Sequence, residues 1–206
     1  LFRATYDRTS GYDGYVSLEV SPYLAMDTDA TIAEAQRLWR EVGRENLMIK
    51  VPATEAGLPA IRHLIGEGIN VNITLLFAIE AHRRVIDAYI AGLEDRLTAG
   101  KPIDRIASVA SFFVSRVDTK VDPQLDQIGD PKHIRGKIAI ANAAMAYRLF
   151  ETTLASERWK KLAAKGAKPQ RPLWASTSTK DPKYPDIYYV EAGEGRAHLR
   201  LERGDT

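Results

Sequence analysis

Short apolar runs alternate along the chain with longer stretches whose apolar residues recur every three to four positions. Gly14–Val20 (GYVSLEV) predicts a strand, ended by Ser21 and Pro22. Ile32, Ala35, Leu38 and Val42 then repeat with helical spacing; Thr31 with Glu34 suits a capping box and Gly43 a stop. Leu47–Val51 predicts a second strand, stopped by Pro52, and Leu58, Ile61, Leu64 and Ile65 give one face of a short helix. Ile69–Phe77 predicts a third strand, followed by a helix over Ile79–Thr98 with Ile86, Tyr89, Leu93 and Leu97 inward. Ser108–Ser115 predicts a fourth strand. Asp118–Lys132 reads as a polar loop, and a long Ala-rich helix, continuous or broken, runs from about Ile134 to about Lys165. Pro172–Thr177 predicts the fifth strand.

The fold class is therefore α/β. The strands are rich in Val and Ile and do not alternate cleanly, as in a parallel sheet covered by helices. Right-handed crossovers leave a doubly wound open sheet or a (βα)8 TIM-type barrel. No strand-to-helix turn carries a Gly-rich phosphate fingerprint. Polar residues occur in or beside all five strands: Glu19, Lys50, Asn72 with Thr74, Ser111 with Arg116, and Ser176. Barrel enzymes assemble their sites from strand ends at one face, so the barrel is favoured. Five strands are countable where a barrel has eight, which predicts an incomplete barrel over residues 1–191 and an atypical polar tail over 192–206.

Composition narrows the function. The chain has 206 residues, with 29 Lys and Arg against 27 Asp and Glu, a formal charge of +2. That balance gives no footprint for nucleic acid. The basic stretch Arg158–Arg171 lacks interleaved aromatics and reads as a solvated helix end and loop. No apolar run approaches the roughly 18 residues of a membrane span. Zero cysteines exclude a disulfide framework, a thiolate metal site and a cysteine nucleophile, and fit a cytoplasmic enzyme. His63, His82, His133 and His198 have no metal-ligand spacing and read as helix surface or tail, so no metal site is expected. The opening LFRATYDRTS has no initiator Met and no leader pattern, and reads as the interior of a longer sequence.

Among candidate chemical groups Lys50 is the sharpest. It lies in Leu47–Pro52, where both strand faces read apolar; an enclosed lysine is desolvated, which favours the neutral amine that imine chemistry needs. A lysine reaching from a strand end to solvent is the competing reading. Glu19, in Val16–Val20, is either a proton-shuttling carboxylate facing the barrel interior, or a structural ion pair or exposed edge position. Asn72 and Thr74 share one strand face and suit substrate hydroxyls or a water, or a satisfied polar layer. Arg116 suits a phosphate, or an ion pair with Asp118 or Asp122. Ser176, Ser178 and Lys180 offer hydroxyls and a cation after the last strand, or a plain polar turn.

Taken together, LMIKVPATEAGL (47–58), GYVSLEV (14–20), GINVNITLLF (68–77), SVASFFVSRVDTKVD (108–122) and LWASTSTKDP (173–182) resemble transaldolase of the longer bacterial type, over residues 1 to about 191. The resemblance implies a (βα) barrel in which Lys50 forms an imine with a ketose. Glu19 and Thr74 would position a proton-shuttling water, and Asn72 and Ser111 would hydrogen-bond the dihydroxyacetone unit. Arg116 and Ser176 would hold the sugar phosphate, with Lys180 nearby. It implies phosphorylated sugar substrates, no cofactor, and transfer of a dihydroxyacetone unit from sedoheptulose 7-phosphate to glyceraldehyde 3-phosphate. A related fructose-6-phosphate aldolase, or a fragment that only binds sugar phosphate, are the rival functions. The family's upstream Asp-x-Thr-Ser-Asn-Pro-like segment has no counterpart here, nor does its later Asn–Thr–Pro segment. The chain is accordingly expected to lack about the first two strands and the last, and to associate with itself or with a complementary segment through open sheet edges.

Overall fold

The computed structural model describes residues 2–194. In chain order it contains α1 (Arg3–Arg8), β1 (Val16–Glu19), a 3-10 turn (Pro22–Leu24), α2 (Thr28–Val42), β2 (Leu47–Pro52) and α3 (Gly57–Glu67). There follow β3 (Val71–Leu76), α4 (Ile79–Thr98), β4 (Ser108–Phe113), α5 (Ser115–Gln127), α6 (Ile138–Ala155), α7 (Glu157–Ala163), β5 (Arg171–Ala175) and α8 (Tyr188–Glu194). The sheet has five strands in the order β1-β2-β3-β4-β5, every pair parallel. This is the α/β arrangement of an incomplete (βα) barrel. Among the described residues, no helix is long and apolar enough to cross a membrane.

Alternation along the strands separates two environments. Leu47, Ile49, Val51, Val71, Ile73, Ala110, Phe112 and Trp174 face the helices in one core with Ala35, Ile61, Leu64, Val85, Tyr89, Leu93 and Ala146. On the opposite face a smaller cluster joins Met48, Ala107 and Val109, with Tyr15 and Leu173 packed against it. The segment leading into β1 also lies against the one leading into β5: Lys168 Nζ donates to the Gly11 carbonyl at 3.0 Å, and the Arg171 guanidinium lies 4.9 Å from the Tyr12 ring centroid. Gly57 permits a close return after β2, because a Cβ there would collide with the Pro52 carbonyl oxygen.

Several boundaries differ from expectation. Helix α2 starts earlier than the capping box predicted: Asp27 is the N-cap and accepts from Ala30 N at 2.9 Å. Thr31 is already inside the helix, its hydroxyl donating to the Leu24 carbonyl, and Glu34 pairs with Arg37. Pro52 belongs to β2 and does not stop it. The expected polar loop at Asp118–Lys132 is largely helix, since α5 occupies Ser115–Gln127 with Pro123 inside it. The Ala-rich helix is two helices divided at Ser156, whose hydroxyl accepts from Trp159 N at 3.2 Å. The expected polar tail begins inside α8; its remainder, 195–206, and His198 lie outside the described residues.

Candidate active site

The register sets out the site. Glu19 pairs with Lys50, and Lys50 with Asn72, so these three residues form one row across β1, β2 and β3. Lys50 Nζ is 3.3 Å from Glu19 Oε2. Asn72 is the hub of a diagonal line: its Nδ2 donates to Ser17 Oγ at 3.0 Å, and its Oδ1 accepts from Ser111 Oγ at 2.7 Å. Ser17 and Asn72 lie two strands apart, a backbone separation of roughly 10 Å in a flat sheet. Their side chains meet because the sheet curls toward this face.

For both Lys50 and Glu19 the structure takes the less enclosed of the two readings. Lys50 is not walled in by apolar side chains: its side chain keeps 30% of its exposure and ends beside a carboxylate. Glu19 does not face a closed interior, since β1 is an edge strand of the described sheet and the Glu19 side chain is 53% exposed. The run Val16–Val20 looked enclosed because Val16, Leu18 and Val20 point the other way.

Thr74 lies one step beyond this row, paired with Pro52 in the register. Its Oγ1 is buried without a hydrogen-bond partner among the described residues. A β-bulge between Ile73 and Leu76, with Leu75 at φ 63°, lets β3 return Leu76 to the helix-facing core two residues after Thr74.

The anion-binding candidates gather around the start of α5. Arg116 is exposed and its guanidinium stacks 5.1 Å from the Phe113 ring centroid. Among the described residues it has no ion pair, so the alternative reading, a pair with Asp118 or Asp122, does not hold; those carboxylates are buried and turn elsewhere. Ser176, at φ 54°, has its Oγ 3.0 Å from Ser115 Oγ, and its carbonyl accepts from Ser115 N at 2.9 Å. Lys180 is exposed and donates to Ser178 Oγ at 2.6 Å.

The histidines divide. His63 is half-exposed, 3.2 Å from Glu67, and His133 is exposed in the turn before α6. His82 contradicts the surface expectation: it is fully buried, 5.7 Å from Phe112 ring to ring, with neither nitrogen partnered among the described residues. Burial pushes its imidazole down to about 4. Ser17 is the member of the diagonal that sequence reading did not single out, although Ser17–Glu19 repeats the spacing of Asn72–Thr74.

A lysine beside a carboxylate and an amide held between two hydroxyls thus share one face of the sheet, and a guanidinium with no ion pair among the described residues stands at the start of α5. A sequence model of the transaldolase/fructose-6-phosphate aldolase family matches residues 2–199, and the chain belongs to that family. It is 57% identical over 192 residues to the transaldolase of Parafrankia sp. (strain EAN1pec), covering 92% of this chain and 52% of that protein. It is 56% identical over 191 residues to the transaldolase of Saccharopolyspora erythraea, covering 93% and 52%. With transaldolase 2 of Nostoc sp. (strain PCC 7120) the identity is 52% over 202 residues, covering 93% and 53%. The chain thus spans about half the length of these curated relatives.

Proposed function

We propose that the chain carries the imine-forming half of a transaldolase site, acting on phosphorylated ketoses in the cytoplasm. The observation that supports this best is the row Glu19–Lys50–Asn72, with Ser111 hydrogen-bonded to Asn72. Neutral Lys50 Nζ attacks C2 of the ketose and forms a carbon–nitrogen bond, and the carbinolamine loses water to give a protonated imine. That cation accepts the electron pair of the C3–C4 bond as it breaks, leaving an enamine on Lys50 and an aldehyde at C4. Glu19 lies at hydrogen-bond distance from the amine and takes up and returns its proton, and Glu19 with Thr74 positions a water that relays protons to the bound ketose. Asn72 and Ser111 orient the hydroxyls of the dihydroxyacetone unit. Arg116, Ser176 and Lys180 hold the phosphate, and binding there aligns a ketose whose reacting carbons lie elsewhere. The enamine then adds to glyceraldehyde 3-phosphate; with sedoheptulose 7-phosphate as donor the products are erythrose 4-phosphate and fructose 6-phosphate.

The proton on the C4 hydroxyl must leave during cleavage, and by resemblance that task falls to an aspartate in a segment this sequence does not contain. The expected result of borohydride reduction with fructose 6-phosphate is therefore an adduct on Lys50 with the mass of the whole ketose, found by peptide mapping and absent in Lys50→Ala. A folded chain with no adduct would overturn the reading. The half-length match favours a second reading, a sugar-phosphate binder without chemistry, which calorimetric binding with no adduct would support. An aldolase would release dihydroxyacetone with no acceptor present.

A further inference from the structure

The only fully buried carboxylates among the described residues take no part in this chemistry. Asp118 and Asp122 lie one turn apart on α5, 1% and 3% exposed. All four of their oxygens accept hydrogen bonds. Asp118 Oδ1 accepts from Ala139 N at 2.8 Å and its Oδ2 from the Tyr189 hydroxyl at 2.9 Å. Asp122 Oδ1 accepts from Gly136 N at 3.0 Å and its Oδ2 from the Tyr184 hydroxyl at 2.7 Å, with Arg135 at 3.5 Å. Each carboxylate thus gives one oxygen to the backbone leading into α6 and the other to a tyrosine that follows β5.

Capping the α6 entry would need only the backbone bonds. The tyrosine bonds do something else: they fasten the chain after β5 onto α5. Ser176 is already tied to Ser115 at the start of α5. Tyr184 is tied to Asp122, and Arg135 donates to both the Tyr184 hydroxyl at 2.6 Å and Asp181 at 2.7 Å. The intervening segment 177–183, which carries Ser178 and Lys180, is therefore strapped at both ends to the helix whose first turn bears Arg116. Bonds to charged acceptors in a dry site are among the stronger ones, which suits a strap.

We propose that Asp118 and Asp122, acting through Tyr189 and Tyr184, are positioning residues that hold the segment carrying Ser178 and Lys180 against α5, the helix that bears Arg116, for a phosphorylated substrate. The proposal rests on the reading that Arg116, Ser176 and Lys180 bind phosphate.

The test uses Tyr184→Phe/Tyr189→Phe, which removes two hydroxyls and keeps both rings. Calorimetric affinity for fructose 6-phosphate should fall on the order of tenfold, the equivalent of one lost hydrogen bond to a charged group. The rate of borohydride trapping on Lys50 with unphosphorylated dihydroxyacetone should stay within about twofold, a split that general loss of structure would not produce. Amide hydrogen exchange across 177–183 should quicken by about tenfold. Equal losses with both ligands, or unchanged exchange, would overturn the proposal. Arg116→Ala separates the two ideas. If it leaves affinity for fructose 6-phosphate intact, the phosphate reading fails and this inference with it; if it weakens affinity and the tyrosine variant does not, only the inference fails. Should the double variant melt below the assay temperature, Tyr184→Phe alone carries the same comparison.

Discussion

The two faces of the sheet divide the work of the molecule. Toward the helices, Ile49, Val51, Val71, Ile73, Ala110 and Phe112 are all fully buried and belong to one broad apolar core. On the other face, among the described residues, only Met48, Ala107 and Val109 form a buried apolar cluster, and beside them run Ser17, Glu19, Lys50, Asn72 and Ser111. The residues of each strand alternate between these settings. Lys50 sits between Ile49 and Val51, yet its charge meets a carboxylate and not the core. A face that need not supply most of the stability can carry polar groups whose partners are incomplete.

The largest expected effect comes from adjacent residues on opposite faces of β2. Ile49→Ala should lower unfolding free energy by about 3–4 kcal/mol in urea titrations, and Met48→Ala by about 2 kcal/mol, because the small cluster can close around the gap. Equal losses would break the comparison and give the open face a core of its own.

His82 sharpens the helix-covered side. Its folded value of about 4 lies below the unfolded 6.5, so the unfolded chain binds the extra proton between those pH values. Stability from this residue is complete above pH 6.5 and falls as pH drops toward 4, by about 3 kcal/mol in total. His82→Leu should remove that share of the acid sensitivity; melts at pH 7 and pH 4.5 that shift equally in parent and variant would sink the idea.

The smallest effect concerns the diagonal. Ser17→Ala and Ser111→Ala should each cost about 1 kcal/mol through the bonds lost at Asn72. A double-mutant cycle should show coupling of at least about 0.5 kcal/mol if the line acts as one network, and strict additivity would dissolve it.

Much of this was legible from residue order. All five strands were readable from apolar runs and their punctuation, and Lys50, Asn72 and Ser111 were identifiable as polar residues inside such runs. What escaped depended on context that periodicity does not carry. Helix α5 reads as a loop because its buried side includes Asp118 and Asp122, carboxylates whose partners come from the Gly136 and Ala139 backbone at the entry to α6 and from Tyr184 and Tyr189. The choice between the two readings of Glu19 turned on the place of β1 at the edge of the described sheet, which only the strand order reveals. The burial of His82 has no sequence signal: an imidazole in the first turn of a helix reads the same whether it faces water or Phe112.

The strictly sequential order of the sheet bears on time as well as space. Strand pairings join residues between 22 and 62 positions apart, from Ile49–Val71 to Val109–Arg171. Each βα unit can therefore dock on the one made just before it, as the chain emerges from synthesis. The contact between Gly11 and Lys168 spans 157 positions. Closing a loop of that length costs about 2 kcal/mol more than closing the shortest pairing. That junction is expected to be the last part of the molecule to assemble, a seam whose closing waits on the arrival of nearly the whole chain.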